Sequence, residues 1–109
     1  MKIGDKERLT KHCDTSPEAV RWRLRAAIKS TSRAQNVLAS EAGIKATTLN
    51  SQIAAGRPSV EFMEFLYKNF RIDFNFILHG DFSQLPGDVA NALLGALDAL
   101  ERSKSSRDS

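Results

Sequence analysis

Short hydrogen-bonding side chains follow a predicted turn in the middle of the chain, and their chemistry suits the edges of DNA bases. Once the apolar residues of this region turn inward, the residues left outside are Lys45, Ala46, Thr47, Asn50 and Ser51. Threonine methyls can pack on thymine methyls, asparagine can pair with adenine, and lysine can bond guanine or neutralise a phosphate. Short side chains also let a helix approach the major groove closely. The alternative is a helical hairpin whose polar face is only solvated.

The string QNVLASEAGIKATTLNSQIAA, from Gln35 to Ala55, predicts the two helices that must position these side chains. Ala39 is small where the helices cross, and Gly43 can adopt the positive φ that a sharp turn requires. Ser32 and Gln35 have the spacing of a capping box at the start of the first helix. The inward-facing residues are predicted to be Val37, Leu38, Ala42, Ile44 and Leu49.

Cap and breaker residues divide the rest of the chain into further helices. Ser16 before Pro17 begins a helix that runs to about Lys29, Ser59 caps a helix after the recognition segment, and Asp73 caps a short one that ends at Gly80. No run alternates apolar and polar residues as a half-buried strand does. The sequence therefore predicts an all-α fold with a domain over residues 16–80, a flexible basic arm over 1–15, a linker and helix over 81–102, and a disordered tail over 103–109.

The positive charge is concentrated near the start of the chain. The formal net charge is +3, and the first 34 residues hold nine Lys or Arg against four Asp or Glu. A basic end can attract phosphates, or it can be an ordinary solvated helix face.

Residues that could support other chemistry are few. Cys13 is the single cysteine, and with only His12 and His79 beside it the chain offers neither a disulfide nor a convincing metal site. Paired carboxylates in a cleft, a phosphate loop and a supported triad are all missing, so we expect no enzyme, metal or cofactor. Neither a secretory leader nor a bilayer-spanning stretch is evident, which predicts a cytoplasmic protein without a membrane partner.

An apolar stripe at helical spacing runs through the segment from Val89 to Arg102. Its members are Val89, Leu93, Leu94, Ala96, Leu97 and Leu100. One recognition helix reads only a few base pairs, so specificity usually needs two copies on half-sites about 34 Å apart. We therefore expect a homodimer with this stripe as its seam. The alternative is that the stripe folds back onto its own domain as a sixth helix.

The segment from Gln35 to Gly80 resembles the helix-turn-helix domain of phage-repressor-type regulators, the lambda repressor class. Beyond the motif itself, the proline loop and Glu-aromatic helix GRPSVEFMEFL (56–66) and the ending FILHG (76–80) resemble that family. Two departures are Lys45, where the family usually has a Ser or Thr cap, and Gln52, where a large apolar residue is common.

The resemblance implies a five-helix lambda repressor-like domain and assigns roles to individual residues. Gln35 and Arg57 would contact phosphates, and Thr48 would contact the DNA backbone. The residues facing bases would be Lys45, Ala46, Thr47, Asn50 and Ser51. The expected function is sequence-specific binding of double-stranded DNA by a homodimeric repressor on a palindromic operator. The alternative is a protein-interaction module, an antitoxin or anti-activator, that uses the apolar C-terminal helix.

Overall fold

A computed structural model of the chain describes the backbone of residues 1–108 and the side chains of residues 1–104. The described backbone is helical without any strand, which confirms the all-α prediction. Its seven helices are α1 (Ile3–Thr10), α2 (Pro17–Ser30), α3 (Gln35–Ala42), α4 (Ala46–Ala55), α5 (Val60–Phe70), α6 (Phe74–His79) and α7 (Gly87–Asp108). None of these helices combines the length and apolar content that crossing a bilayer requires.

Three of the predicted N-terminal caps are present. In each case the side-chain oxygen accepts a hydrogen bond from a backbone N–H three residues later: Ser16 from Ala19 at 3.2 Å, Ser59 from Phe62 at 3.2 Å and Asp73 from Phe76 at 2.8 Å. Such a bond satisfies one of the four N–H groups that a helix start leaves without an intrahelical partner. These local signals therefore set the starts of α2, α5 and α6.

The predicted capping box before α3 is wrong. Ser32 has a left-handed backbone with φ of 58°, and its N–H donates to the Lys29 carbonyl at the end of α2. Ala34 is the N-cap of α3, and no side chain caps that helix. Because Ser32 completes the turn that ends α2, it is not positioned to cap α3.

Helix α2 lies at the centre of the fold and packs against α4, α6 and α7. Ala19, Ala26 and Ala27 on this helix are completely buried. Their small side chains let the surrounding helices approach α2 closely. The position of α4 is thus determined by the helix that also holds α7.

The N-terminal segment is not the flexible arm that the sequence predicts, because residues 3–10 form α1. Leu9 and Thr10 are almost completely buried, and the Leu9 carbonyl accepts a hydrogen bond from Trp22 Nε1 at 2.8 Å. Arg8 on the same helix pairs with Glu101 on α7 at 2.7 Å. The many charged residues of this segment face solvent, while a single leucine anchors it in the core.

Arg23 is a buried cation that sequence analysis did not identify. Its side chain is fully enclosed and donates to the carbonyls of Thr10 at 2.7 Å and Ile77 at 3.2 Å, and also to those of Lys11 and Asp14. Burial lowers the pKa of this guanidinium. Carbonyls at a helix C-terminus carry partial negative charge, so Arg23 joins the ends of α1 and α6.

The apolar stripe of α7 lies in the core of its own chain, so its assignment as a dimer seam is wrong and the fold-back alternative holds. Exposure is at most 8% for Val89, Leu93, Leu94, Ala96 and Leu97, and Leu100 is half-buried against the core. The stripe packs mainly on α2 and α1. Of the tail that was expected to be disordered, residues 103–108 continue α7, and Ser109 lies outside the described residues.

Candidate nucleic-acid interface

A tight turn at residues 43–45 joins α3 to α4. Gly43 ends α3 with φ of 74°, a left-handed conformation that glycine adopts without strain. The Gly43 N–H donates to the Ser40 carbonyl at 3.1 Å, and the Ile44 N–H donates to the Ala39 carbonyl at 2.9 Å. This pair of bonds is a Schellman motif, and it fixes the direction in which α4 leaves the turn.

The predicted helix-turn-helix scaffold is buried as expected, with one exception. Leu38 and Leu49 are completely buried, and Ala42 and Ile44 pack half-buried against the core. Val37 was predicted to face inward but is 44% exposed. Its position is about 100° around the helix from Leu38, which carries it off the buried side of α3.

The outward side of α4 and the residue before it carry the side chains that the sequence predicts to contact bases, together with Thr48. Lys45, Ala46, Thr47, Thr48, Asn50 and Ser51 are all exposed. At about 100° per residue, positions 46, 47, 50, 51 and 54 fall within an arc of about 140°. Ala54, which sequence analysis did not single out, lies inside that arc and is exposed. The face is therefore narrow, polar and free of large side chains.

Two polar side chains on this face have different hydrogen-bonding capacity. Ser51 Oγ donates to the Thr47 carbonyl at 3.0 Å, so its lone pairs can still accept while its proton is engaged. Asn50 makes no side-chain hydrogen bond to the described residues, which leaves its amide able to donate and accept. These side chains can therefore bond to a hydrogen-bond donor or to an acceptor on a base edge.

Helices α3 and α4 both begin without a side-chain cap. Ala34 and Lys45 occupy the N-cap positions, and neither side chain bonds to the first turn. The first N–H groups of a helix carry partial positive charge and bind phosphates readily. Lys45 adds a full positive charge at the start of α4. The helix dipole disfavours a cation at this end of the helix, and a bound anion would offset that unfavourable interaction.

Gln35 is the first residue of α3 and is half-buried. With the capping box absent, its amide makes no hydrogen bond to the described side chains or backbone. Of the two roles open to Gln35 in the sequence, capping is therefore excluded, and the phosphate contact stays a prediction.

Gln52 connects α4 to the start of α5. Its Oε1 accepts a hydrogen bond from the Ser59 N–H at 3.0 Å. This bond spans the loop that contains Arg57 and Pro58. A polar residue at position 52 is therefore explained by the loop that follows α4.

The charges from Gln35 to Pro58 are positive or neutralised. Arg57 is exposed and forms no ion pair with the described residues, and Lys45 is likewise unpaired. The one acidic residue between Gln35 and Pro58 is Glu41, which pairs with Arg33 at 2.6 Å. No unpaired carboxylate on α3, α4 or their turn would repel a polyanion.

Comparisons with protein-family models, with curated proteins and with solved structures find no match to this chain.

Proposed function

We propose that the chain is a sequence-specific double-stranded DNA-binding regulator, a repressor that acts as a homodimer on a palindromic operator. The observation that carries the proposal is the outward face of α4. It presents short polar side chains and alanines within one arc, while Leu49 and Ile53, on the adjoining side of the helix, are buried in the core. A helix with these properties can enter the major groove and bring donors and acceptors to base edges.

The order of the elements supports the same function. Helices α2 to α6 have the number and sequence that the resemblance to lambda repressor-like domains implies, with α3 and α4 as the helix-turn-helix. Under this proposal Gln35, Thr48 and Arg57 contact the DNA backbone. The side chains that contact bases are Lys45, Thr47, Asn50 and Ser51, with Ala46 giving close approach.

Two copies remain part of the proposal because one α4 would read only a few base pairs. Burial of the α7 stripe requires that any dimer contact use a different surface. With the stripe buried, the protein-interaction alternative, an antitoxin or anti-activator, would likewise need a different surface.

Selection of bound sites from random DNA duplexes tests this function. We expect enrichment of a short site with two inverted half-sites, whose centres are one or more helical turns apart. We also expect affinity to fall steeply with salt, because phosphate contacts release counterions. Enrichment of no sequence motif at low salt would contradict the proposal, and a motif without inverted symmetry would contradict the homodimer alone.

A further inference from the structure

A basic groove of about 470 Å³ lies between α2 and the C-terminal part of α7. Four cations line it: Lys11 from the end of α1, Arg21 and Arg25 from α2, and Lys104 from α7. Glu18 is the single carboxylate in the lining. The groove therefore carries an excess of three positive charges, supplied by three separate parts of the fold.

Unlike Arg8 on α1 and Arg102 on α7, the four groove cations have no acidic partner among residues 1–104. Arg8 on α1 pairs with Glu101 at 2.7 Å, and Arg102 on α7 pairs with Asp98 at 3.1 Å. No carboxylate of residues 1–104 lies within ion-pair distance of the four groove cations. Neighbouring charges of equal sign repel each other, so an anionic ligand would relieve this repulsion.

Apolar surface is present among these charges. Trp22 and Leu100 are half-buried in the lining. The indole N–H of Trp22 is already bonded to Leu9, and Lys11 Nζ lies 5.7 Å from the centre of the ring. What Trp22 offers a ligand is consequently its ring surface.

The distribution of charge favours an extended anion over a compact one. Arg21 and Arg25 are one helical turn apart, which spreads their charges over about 6 Å along α2. No glycine-rich turn lines the groove to gather backbone N–H groups around a single phosphate. A chain with several separated carboxylates matches this spacing better.

The location of the groove separates it from the proposed DNA surface. Helix α7 packs mainly on α1 and α2, whereas α4 packs mainly on α2 and α3. No residue of α3 or α4 lines the groove, so it is a different surface from the outward face of α4.

We propose that this groove binds an acidic segment of a partner protein. Carboxylates of the segment pair with Arg21, Arg25 and the two lysines, and one apolar side chain packs on Trp22 and Leu100. The proposal does not rest on DNA binding, and of the α7 stripe it uses only Leu100, which is half-buried.

Fluorescence anisotropy of a labelled ten-residue peptide, rich in Glu with two Leu residues, tests the proposal on the full chain. We expect salt-sensitive binding, and no binding of a matched peptide with Gln in place of Glu. The R21Q/R25Q variant should bind at least about tenfold more weakly, a loss of about 1.4 kcal/mol. The control K29Q/K68Q removes the same charge from exposed positions outside the groove and should bind like the unmodified chain.

Several outcomes would overturn the proposal. They are failure of the unmodified chain to bind the acidic peptide, equal binding of the Gln peptide, and equal weakening in the control variant. If R21Q/R25Q weakens binding of a random DNA duplex as much as R57Q does, the groove contacts DNA and the peptide assignment is wrong. Circular dichroism verifies that R21Q/R25Q is folded, and the single K104Q variant provides a second test at the other wall.

Discussion

Gly56 lies so close to Pro17 that a β-carbon built on it would be 2.1 Å from the Pro17 carbonyl oxygen. Gly56 is buried at the end of α4, with φ of 66°, and Pro17 is the first residue of α2. The contact joins the end of the proposed recognition helix to the central helix of the fold. Only a residue without a side chain allows that approach.

Replacing Gly56 with Ala should therefore lower the free energy of unfolding. A left-handed backbone costs a non-glycine residue about 1–3 kcal/mol, and forcing an extra atom into a packed contact costs about as much again. Gly95→Ala is the control, because a β-carbon at this exposed helical position meets nothing within 4 Å. It should gain about 0.5–1 kcal/mol. Urea denaturation measures both free energies of unfolding. If Gly56→Ala is as stable as the unmodified chain, the backbone at Pro17 can move to accept the added carbon without loss of stability.

Arg23→Met should destabilise the fold by at least about 3 kcal/mol. The variant retains a long side chain but leaves buried carbonyls of Thr10 and Ile77 without a donor, and each unsatisfied buried group costs about 1–3 kcal/mol. Arg25→Met, an exposed change on the same helix, should stay within about 0.5 kcal/mol. Chemical denaturation gives both values. If Arg23→Met leaves the free energy of unfolding unchanged, water replaces the guanidinium as the hydrogen-bond donor to these carbonyls.

Leu97→Ala should destabilise each chain without changing its mass in solution. Leu97 is completely buried, and truncation of a buried leucine costs about 2–5 kcal/mol. Ala99→Ser, at an exposed position on α7, is the control and should have little effect. Denaturation at two protein concentrations, with light scattering, separates the possibilities. If Leu97→Ala remains stable but no longer dimerises, the α7 stripe is a dimer contact and its burial within one chain is wrong.

Substitutions at Thr47 should separate its methyl from its hydroxyl. Thr47→Val keeps the methyl and Thr47→Ser keeps the hydroxyl, so the one that retains selectivity identifies the group that reads the base. Loss of the reading group should cost about 1–3 kcal/mol of discrimination at one base pair. Thr15→Val, exposed outside the interface, is the control. Competition binding against single-base variants of the selected site measures the effect, and unchanged discrimination in both Thr47 variants would remove Thr47 from the site.

Arg57→Gln should weaken binding to all DNA sequences similarly. Loss of one phosphate contact should reduce the slope of log affinity against log salt by about one. Lys29→Gln removes the same charge from an exposed position on α2 and should leave the slope unchanged. A change in base preference in Arg57→Gln would indicate that Arg57 contacts a base instead of a phosphate.

The helix starts at Ser16, Ser59 and Asp73 and the turn at Gly43 were predictable because each depends on residues within one helical turn. The inward positions of Leu38 and Leu49 follow from the same local periodicity. The capping box at Ser32 failed although its spacing was correct. Ser32 could complete the end of α2 or cap the start of α3, and in the structure its N–H bonds to the Lys29 carbonyl at the end of α2.

The sequence by itself determined an all-helical chain, the boundaries of its central helices and the polar, small-residue outward face of α4. Only the tertiary structure decided what buries the α7 stripe, because apolar spacing is equally compatible with packing on the same chain or on a second copy. Burial of Arg23 and of Leu9 also depended on partners far along the chain, among them Ile77 and helix α7. Local periodicity records which side of a helix avoids water, whereas the surface that covers that side is set by how all the helices pack together.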